Sequence, residues 1–523
     1  MKETIDKSRG CLIGGAAGDA LGYSVEFSSL ADIIIIRKYG ADGITSYQLD
    51  SEGTARFSDD TQMTLFTAEG LLTAFTANPN PDPGIILQDT KEAYLAWLAT
   101  QTSFQLPLPS SWLSHLSGLW ARRAPGNTCL DSLAALKDGR PVSNDSKGCG
   151  AVMRIAPIGI FFGVRALNDT ADVEEARHLV ARVAADNARL THCHDMSTLA
   201  SVFTSLLIFE CMRTDVTDRI TLHSLITKSL IYTLAEMPGC SYSEEFAAII
   251  RKSMLLADTT LPAREAIAQI GEGWVAEETA AIALFCVLRH MDDFSNCLIA
   301  AVNHDGDSDS TGAVAGNIIG TILGYESIPD RFRKNLELHD VILSVADDLA
   351  GAADETRMKE RYADHRPYGI PESLTLFARM RFTPDHITSL GDDEVFVFGS
   401  NLAGMHGGGA ARVARQKFGA VMGQGVGLQG QSYAIPTMQG GVETIKPYVD
   451  QFIEFARECD QTTFYVTRIG CGIAGFRDEE IAPLFKDALT LYNVRLPESF
   501  VRILLNLDPI SQNFRAPGAV LGE

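Results

Sequence analysis

The chain has 523 residues, 46% of them hydrophobic, and a formal net charge of −22. Such a length gives a prior of two to four domains, and the acidic balance argues against non-specific nucleic-acid binding. Ten cysteines without CxxC spacing, no signal-peptide pattern at the start and no uninterrupted apolar run of bilayer length together lead to the expectation of a cytoplasmic protein with reduced thiols and no membrane association.

The first predicted element is a helix of small residues, with glycines at 10, 14, 15, 18 and 22. A helical glycine costs about 1 kcal/mol relative to alanine, so this composition is a poor choice unless another backbone must come close. Asp19 lies in that small-residue surface, where an unpaired charge is costly, and reads first as a cap or buried hydrogen-bond acceptor. Glu26, just past the helix end, is the better candidate for an acid, a base or a substrate anchor. Ser58-Asp59-Asp60-Thr61 then opens an amphipathic run over Met63–Phe75. Helices joined by polar loops fill 60–145, with breaks at Asn78–Gly84 and Leu106–Pro109 and a turn over Arg122–Thr128.

Ser146-Lys147-Gly148-Cys149-Gly150 precedes an apolar stretch. A Gly-X-Gly loop lets backbone N–H groups approach a ligand, and a following helix N-terminus favours phosphate; a tight interhelical turn is the alternative. Between 171 and 350 a 3.6-residue period predicts helices over Val173–Arg189, Leu199–Met212, Glu244–Leu256 and Glu277–Leu288. His192 lies at the end of the first, in a His192-Cys193-His194 triplet with no other Cys/His cluster to support zinc.

Near the end of this region, Asp305, Asp307 and Asp309 alternate with Gly306, Ser308 and Ser310 before Thr311 and the apolar run Ala313–Leu323. This is a second cluster of carboxylates and hydroxyls at a helix start. Each cluster read alone is an N-cap or a set of oxygen ligands for a hard cation. A cap needs one such residue rather than four, so the two together favour one site, in which paired metals activate a water and polarise a leaving oxygen.

Residues 1–355 therefore read as an all-α domain. A connector follows over 356–388, with the charged run Met358–Arg361 and then Pro367, Gly369 and Pro371. Residues 389–512 read as an α/β domain. Its predicted strands are Glu394–Phe398, Ser432–Ile435, Thr463–Thr467 and Phe500–Leu507; its helices are Ala410–Phe418 and Val442–Cys459. Two strands run into glycine loops, which suits a phosphate-binding crevice at the carboxyl ends of strands. The absence of a G-x-G-x-x-G fingerprint with a following acid argues against a nicotinamide cofactor.

In chain order, Gly18-Asp19-Ala20-Leu21-Gly22, Glu26-Phe27, Ser58–Thr61, Gly148–Arg154, Thr191-His192 and Gly306–Thr311 resemble the motif set of the ADP-ribosylglycohydrolases, the dinitrogenase-reductase-activating type. The resemblance covers about 1–350. It implies a binuclear Mg2+ site, with Mn2+ as the alternative, held by Ser58, Asp59, Asp60, Asp307, Asp309 and Ser310; the family usually has threonine where Ser58 and Ser310 stand. It further implies Glu26, Asp60 and Asp307 as catalytic residues, and Asp19, Ser146, Gly148, Cys149, Gly150 and His192 as substrate contacts. Cys149 stands where several members carry asparagine. The C-terminal domain resembles a macrodomain more loosely. Asn401 with Gly407, Gly408 and Gly409 looks like the group around the distal ribose and diphosphate, and Gly472, Ala474 and Gly475 like the second phosphate loop; Asp392 and Asp393 lie near the strand expected to carry an adenine-contacting acid, but out of pattern.

The function so implied is metal-dependent removal of ADP-ribose from an ADP-ribosylated protein or small molecule, at an N- or O-glycosidic bond to the anomeric carbon, with a second ADP-ribose-binding domain. Two other readings stay open: a non-catalytic ADP-ribose reader or scaffold, and hydrolysis by the C-terminal domain alone. The residues leave the linkage and the oligomeric state open.

Overall fold

The computed structural model describes residues 2–33, 39–40, 42–102, 111–167, 173–364, 382–384, 386–391, 393–459, 462–491 and 493–504. The break read at Leu106–Pro109, residues 365–381 of the connector, Asp392 and the end of the last predicted strand lie outside them. The described residues group into two units, one up to 364 and one from 382 onward.

The first unit is helical. It contains α1 (Lys2–Tyr23), α2 (Asp59–Ala77), α3 (Pro83–Thr102), α4 (Asn127–Lys137), α5 (Ala156–Leu167), α6 (Val173–Arg189), α7 (Asp195–Arg213) and α8 (Arg219–Glu236). It continues with α9 (Ser243–Ala257), α10 (Ala263–Ile270), α11 (Ala276–Arg289), α12 (Phe294–Val302), α13 (Ser308–Leu323), α14 (Asp330–Arg333), α15 (His339–Leu349) and α16 (Glu355–Tyr362).

The glycines of α1 are used as their cost demands. They form a row at every fourth residue that lies against a matching row on the antiparallel helix α13. A methyl group on Gly14 would stand 2.3 Å from the Gly316 carbonyl oxygen, one on Gly18 1.9 Å from that of Gly312, and one on Gly22 2.3 Å from that of Ser308. The contact is reciprocal, since a methyl on Gly316 would stand 2.0 Å from the Gly14 oxygen. Asn317 adds a bond from Nδ2 to the Cys11 carbonyl (2.8 Å).

Two stretches, Cys149–Leu167 and Asp195–Arg213, reach the length and mean hydropathy of a membrane-crossing segment, though each is interrupted by charge and by glycine or serine, and 89% and 94% of them is buried inside the unit. Their apolar surface belongs to this core. The charged run 358–361, expected in a connector, instead forms half of α16, where Arg361 pairs with the buried Asp348 of α15 and the Tyr362 hydroxyl donates to the same carboxylate (2.7 Å).

The second unit contains β1 (Glu394–Ser400), α17 (Gly409–Lys417), β2 (Gly427–Gln429), β3 (Ser432–Pro436), α18 (Val442–Glu458), β4 (Thr463–Val466), α19 (Asp478–Ile481), β5 (Val494–Arg495) and α20 (Glu498–Leu504). The sheet order is β2-β3-β1-β4-β5. β1 runs parallel to β3 and β4, β4 parallel to β5, and β2 antiparallel to β3. Alternate residues of β1 serve the two faces: Val395 and Val397 pack with Ile445, Val449 and Phe452 of α18, and Phe396 and Phe398 with Ala411 and Ala414 of α17.

The predicted strand Phe500–Leu507 is instead helical over its described part. Pro497 precedes the turn and its carbonyl accepts from the amides of Phe500 (3.0 Å) and Val501 (3.2 Å). Proline at a helix start is favourable, and a short apolar run does not distinguish strand from helix by its period.

Gly316→Ala would force α1 and α13 apart, at a cost of about 3 kcal/mol. Urea unfolding measures it; an unchanged midpoint would mean that the two helices separate freely.

Candidate active site

The paired helices bring the end of α1 beside the start of α13, and Asp19 ties both to the start of α2. Asp19 is buried; its carboxylate accepts from the amides of Ser58 (2.8 Å) and Thr61 (2.9 Å) and from the Thr61 hydroxyl (2.5 Å). Ser58 is the N-cap of α2, accepting from the Asp60 amide at 3.2 Å. Asp307 is the N-cap of α13, accepting from the Ser310 amide at 3.3 Å. Capping thus engages Ser58 in the first cluster, and in the second the Ser310 amide is shared between Asp307 and Asp309 Oδ1 (3.1 Å). Asp59 Oδ2 accepts weakly from the Gly126 amide (3.4 Å). Asp309 bonds to Ser58 and Asp307. Asp60 Oδ2 and Glu26 Oε2 are buried with no hydrogen-bond partner.

The charges of this cluster do not cancel. Burial, then the Asp309 charge, pushes Asp19 up to about 7. Burial pushes Glu26 up to about 10, with Asp309, Asp307, Asp59 and Asp19 adding to the shift. Asp59, Asp60 and Asp309 are raised well above the usual carboxylate range, by burial first and neighbouring carboxylates second; Asp307 is raised by burial. Among the described residues none of the six pairs with a lysine or arginine; nearby Arg123 is committed to Glu337 (3.1 Å). Carboxylates and hydroxyls, two of the carboxyl oxygens orphaned, are the donors that a hard divalent cation takes. The side chains do not already stand around one point: among the described residues no three His, Cys, Asp or Glu form a ready-made metal group.

The Gly-X-Gly segment lies next to this cluster, but its backbone is strapped to the protein. The Gly148 amide donates to Ser146 Oγ (3.4 Å), the Cys149 amide to the Trp274 carbonyl (3.2 Å), and the Ala276 amide to the Lys147 carbonyl (2.8 Å). Two of the amides expected to face a ligand are therefore taken. Ser146 Oγ also meets Thr128 Oγ1 at 3.1 Å. Gly150 is small because His192 needs the space: a methyl there would lie 2.9 Å from His192 Cε1. The His192 ring bonds through Nδ1 to Thr191 Oγ1 (2.8 Å) and is held neutral, its pKa lowered to about 3 by burial and by Arg154. The Cys149 thiol points at the acidic cluster, with Sγ 2.8 Å from Asp307 Oδ2.

Sequence reasoning did not single out three participants. Arg154 is fully buried and holds the loop, donating to the Gly150 carbonyl (2.8 Å) and Thr191 Oγ1 (2.8 Å) while lying over the Tyr94 ring. Phe27 and Trp274, both exposed, stack with ring centroids 6.0 Å apart. An exposed aromatic next to Glu26 was the available signal. Trp274 also borders a cavity of about 530 Å3 beside the loop, lined by Lys147, Arg264, Glu272, Glu278 and Asp305 among others, and by none of the six clustered carboxylates.

In the second unit the parallel strands β1, β3 and β4 end at one edge of the sheet. The two glycine loops meet there: a methyl on Gly408 would lie 2.9 Å from Ile473 Cδ1, and Gly407 and Gly472 face open space. Gly475 takes a φ of +83° and its amide closes the second loop on the Gly472 carbonyl (3.0 Å), with Ala474 half-buried between them. Asn401 closes the first loop itself, exchanging bonds of 3.1 and 3.2 Å with the Met405 backbone.

The helical unit has known relatives. Residues 1–358 match the family described as ADP-ribosylglycohydrolase. An uncharacterized protein of Archaeoglobus fulgidus is 26% identical over 347 residues, which are 66% of this chain and 96% of that protein. An ADP-ribosyl-(dinitrogen reductase) glycohydrolase of Rhodospirillum rubrum is 24% identical, covering 64% of this chain and 91% of its own length. The ADP-ribosylhydrolase ARH3 of Bos taurus is 21% identical, covering 64% and 89%.

The raised carboxyls fix a pH dependence for the metal-stripped protein. A carboxyl raised in the folded state favours folding while it is protonated. That contribution is complete below its unfolded pKa of about 4 and lost as pH rises through the folded value, about 7 for Asp19. Thermal melting in chelator should therefore be higher near pH ~5 than near pH ~8, and Asp309→Asn should flatten the dependence and raise the melting temperature at neutral pH by on the order of a few degrees. A wild-type melting temperature that rises with pH over this window contradicts the account.

Proposed function

The chain belongs to the ADP-ribosylglycohydrolase family, and we propose that its helical unit is a metal-dependent hydrolase that frees ADP-ribose from an ADP-ribosylated protein or small molecule. Hydrolysis is the activity named for its relatives. The observation that carries the reading is the meeting of Glu26, Asp60, Asp307 and Asp309, from three helix ends, in one buried acidic cluster that no lysine or arginine among the described residues neutralises.

Ser58, Asp59, Asp60, Asp307, Asp309 and Ser310 would hold two divalent ions, Mg2+ in the first instance and Mn2+ as the alternative. Bound ions supply Lewis acidity at the ribose oxygens and lower the pKa of water. Glu26, buried at Oε2 and raised chiefly by burial, stands as the general acid that donates a proton to the departing atom or to a ribose hydroxyl. Asp60 Oδ2 and Asp307 orient the attacking water. Ser146, Gly148, Cys149 and Gly150 flank the sugar. Asp19 and His192 act at one remove, since their polar atoms serve the start of α2 and the loop.

The macrodomain-like part of the reading places a second ADP-ribose site in the other unit, at Asn401, Gly407, Gly408, Gly409, Gly472, Ala474 and Gly475. Its support is the meeting of the two glycine loops, open at Gly407 and Gly472, and a stretch from Gly399 to Phe418 without a carboxylate to repel a diphosphate. Asn401 then shapes the loop more than it binds ribose. The ten free thiols fit a reducing cytoplasm.

Asp309→Ala should lower release of free ADP-ribose by at least about a hundredfold with the helical circular dichroism intact, and a chelator should silence the wild type until Mg2+ or Mn2+ is restored. Full activity of the variant in chelator refutes the metal-dependent reading. Gly408→Glu in the full chain should reduce the ADP-ribose stoichiometry in calorimetry from two sites to one without changing hydrolysis; an unaltered stoichiometry refutes the second site.

A further inference from the structure

Every ligand assigned above offers oxygen, yet one sulfur reaches the same place. Cys149 Sγ lies 2.8 Å from Asp307 Oδ2, and the Ser310 side chain bonds to it as well. Two of the six assigned ligands thus touch the thiol. Asp60, 3% exposed, acts on it electrostatically and has one oxygen without a partner.

The position of the sulfur is set by its backbone rather than by chance. The Cys149 amide is fixed to the Trp274 carbonyl (3.2 Å), and the next residue's carbonyl is fixed by Arg154 (2.8 Å). With both flanks held, the Cα–Cβ bond is directed at the acidic cluster, and the rotamer present sets Sγ against Asp307. The thiol donates a hydrogen bond to Asp307 Oδ2, and a bound ion would take the place of that proton between the sulfur and the carboxylate.

We propose that Cys149 is a sulfur ligand in this centre and tilts its metal preference from Mg2+ and Mn2+ toward borderline and soft ions, Zn2+ and Cd2+. The chemistry is the ordinary matching of donor and ion: thiolate sulfur favours soft ions, whereas carboxylate and hydroxyl oxygen suit Mg2+. The proposal rests on the reading that the acidic cluster binds divalent ions.

Cd2+ is the probe, because thiolate-to-cadmium charge transfer gives an ultraviolet absorption that oxygen ligands do not. The metal-stripped full chain is titrated with Cd2+ and, by calorimetry, with Mg2+ and Mn2+, beside Cys149→Ser and Cys149→Ala. The other nine cysteines contribute equally to all three proteins, so the difference spectrum isolates Cys149. The expected result is a charge-transfer band lost in both variants, with Cd2+ affinity lowered by about tenfold or more and Mg2+ affinity little changed. Far-ultraviolet circular dichroism checks that each protein is folded; the serine variant keeps the size of the side chain and the alanine variant removes its polarity. Wild-type protein that binds Mg2+ or Mn2+ but shows the same cadmium spectrum as the variants overturns the sulfur ligand and leaves the metal centre standing. Folded wild type that binds none of the three ions overturns the metal centre, and the proposal with it.

Discussion

The helical unit depends on one contact, the backbone of α1 lying directly on the backbone of α13. Carbonyl oxygens on each helix occupy the space where the other would carry methyl groups. No layer of side chains separates the two, so the axes are closer than in ordinary helix packing, where interaxial distances run at about 8–10 Å. The gain is dense van der Waals contact and Cα–H to carbonyl interaction. The cost is the conformational freedom of many glycines. What the arrangement achieves is placement: the last turn of α1 and the first turn of α13 meet, and Asp19 carries that placement to α2 through three hydrogen bonds.

The treatment of charge elsewhere shows that the acidic cluster is selective. Buried Glu337 is shared by Arg56 (2.6 Å) and Arg123 (3.1 Å), Glu210 by Arg177 (2.7 Å) and Lys228 (2.9 Å), and Asp348 is paired with Arg357 and Arg361. Each is a buried acid with its cations supplied, as burial ordinarily requires. Glu69 is buried without a cation but is held by Ser111 Oγ (2.7 Å) and the Leu113 amide (3.1 Å); around Asp60 and Asp309 several acids gather and no cation is supplied among the described residues. Arg154 is the mirror case, a buried cation satisfied by neutral oxygens and an aromatic ring, close enough to keep His192 uncharged.

Much of this was legible because it is written in local pattern. Glycine at every fourth residue of α1 announced a close backbone neighbour, and Asp19 in their midst read as a buried acceptor, which is how it bonds. Both hydroxyl-carboxylate clusters stand at helix starts, and strand-to-glycine turns marked β1 and β4. What escaped depends on partners far along the chain. Nothing near Gly148 tells that the Cys149 amide is claimed by Trp274, and nothing near Asn401 tells whether its side chain faces a ligand or its own loop. Arg154 entered only as the end of the Gly148–Arg154 motif, because its acceptors are Gly150 and a threonine 37 positions away. The turn after Pro497 failed for a different reason: two adjacent apolar residues, Phe500 and Val501, fit either a strand or one face of a short helix.

The strapping of the 147–150 loop has a consequence for how such a protein can diverge. Its path is defined by main-chain bonds to 274 and 276 and by an arginine that grasps a carbonyl, none of which involves the side chain at position 149. That side chain is a replaceable tip on a rigid mount. A single codon change there would alter the group presented to the acidic cluster without renegotiating the fold, so descendants of one scaffold can part company in chemistry long before they do so in shape.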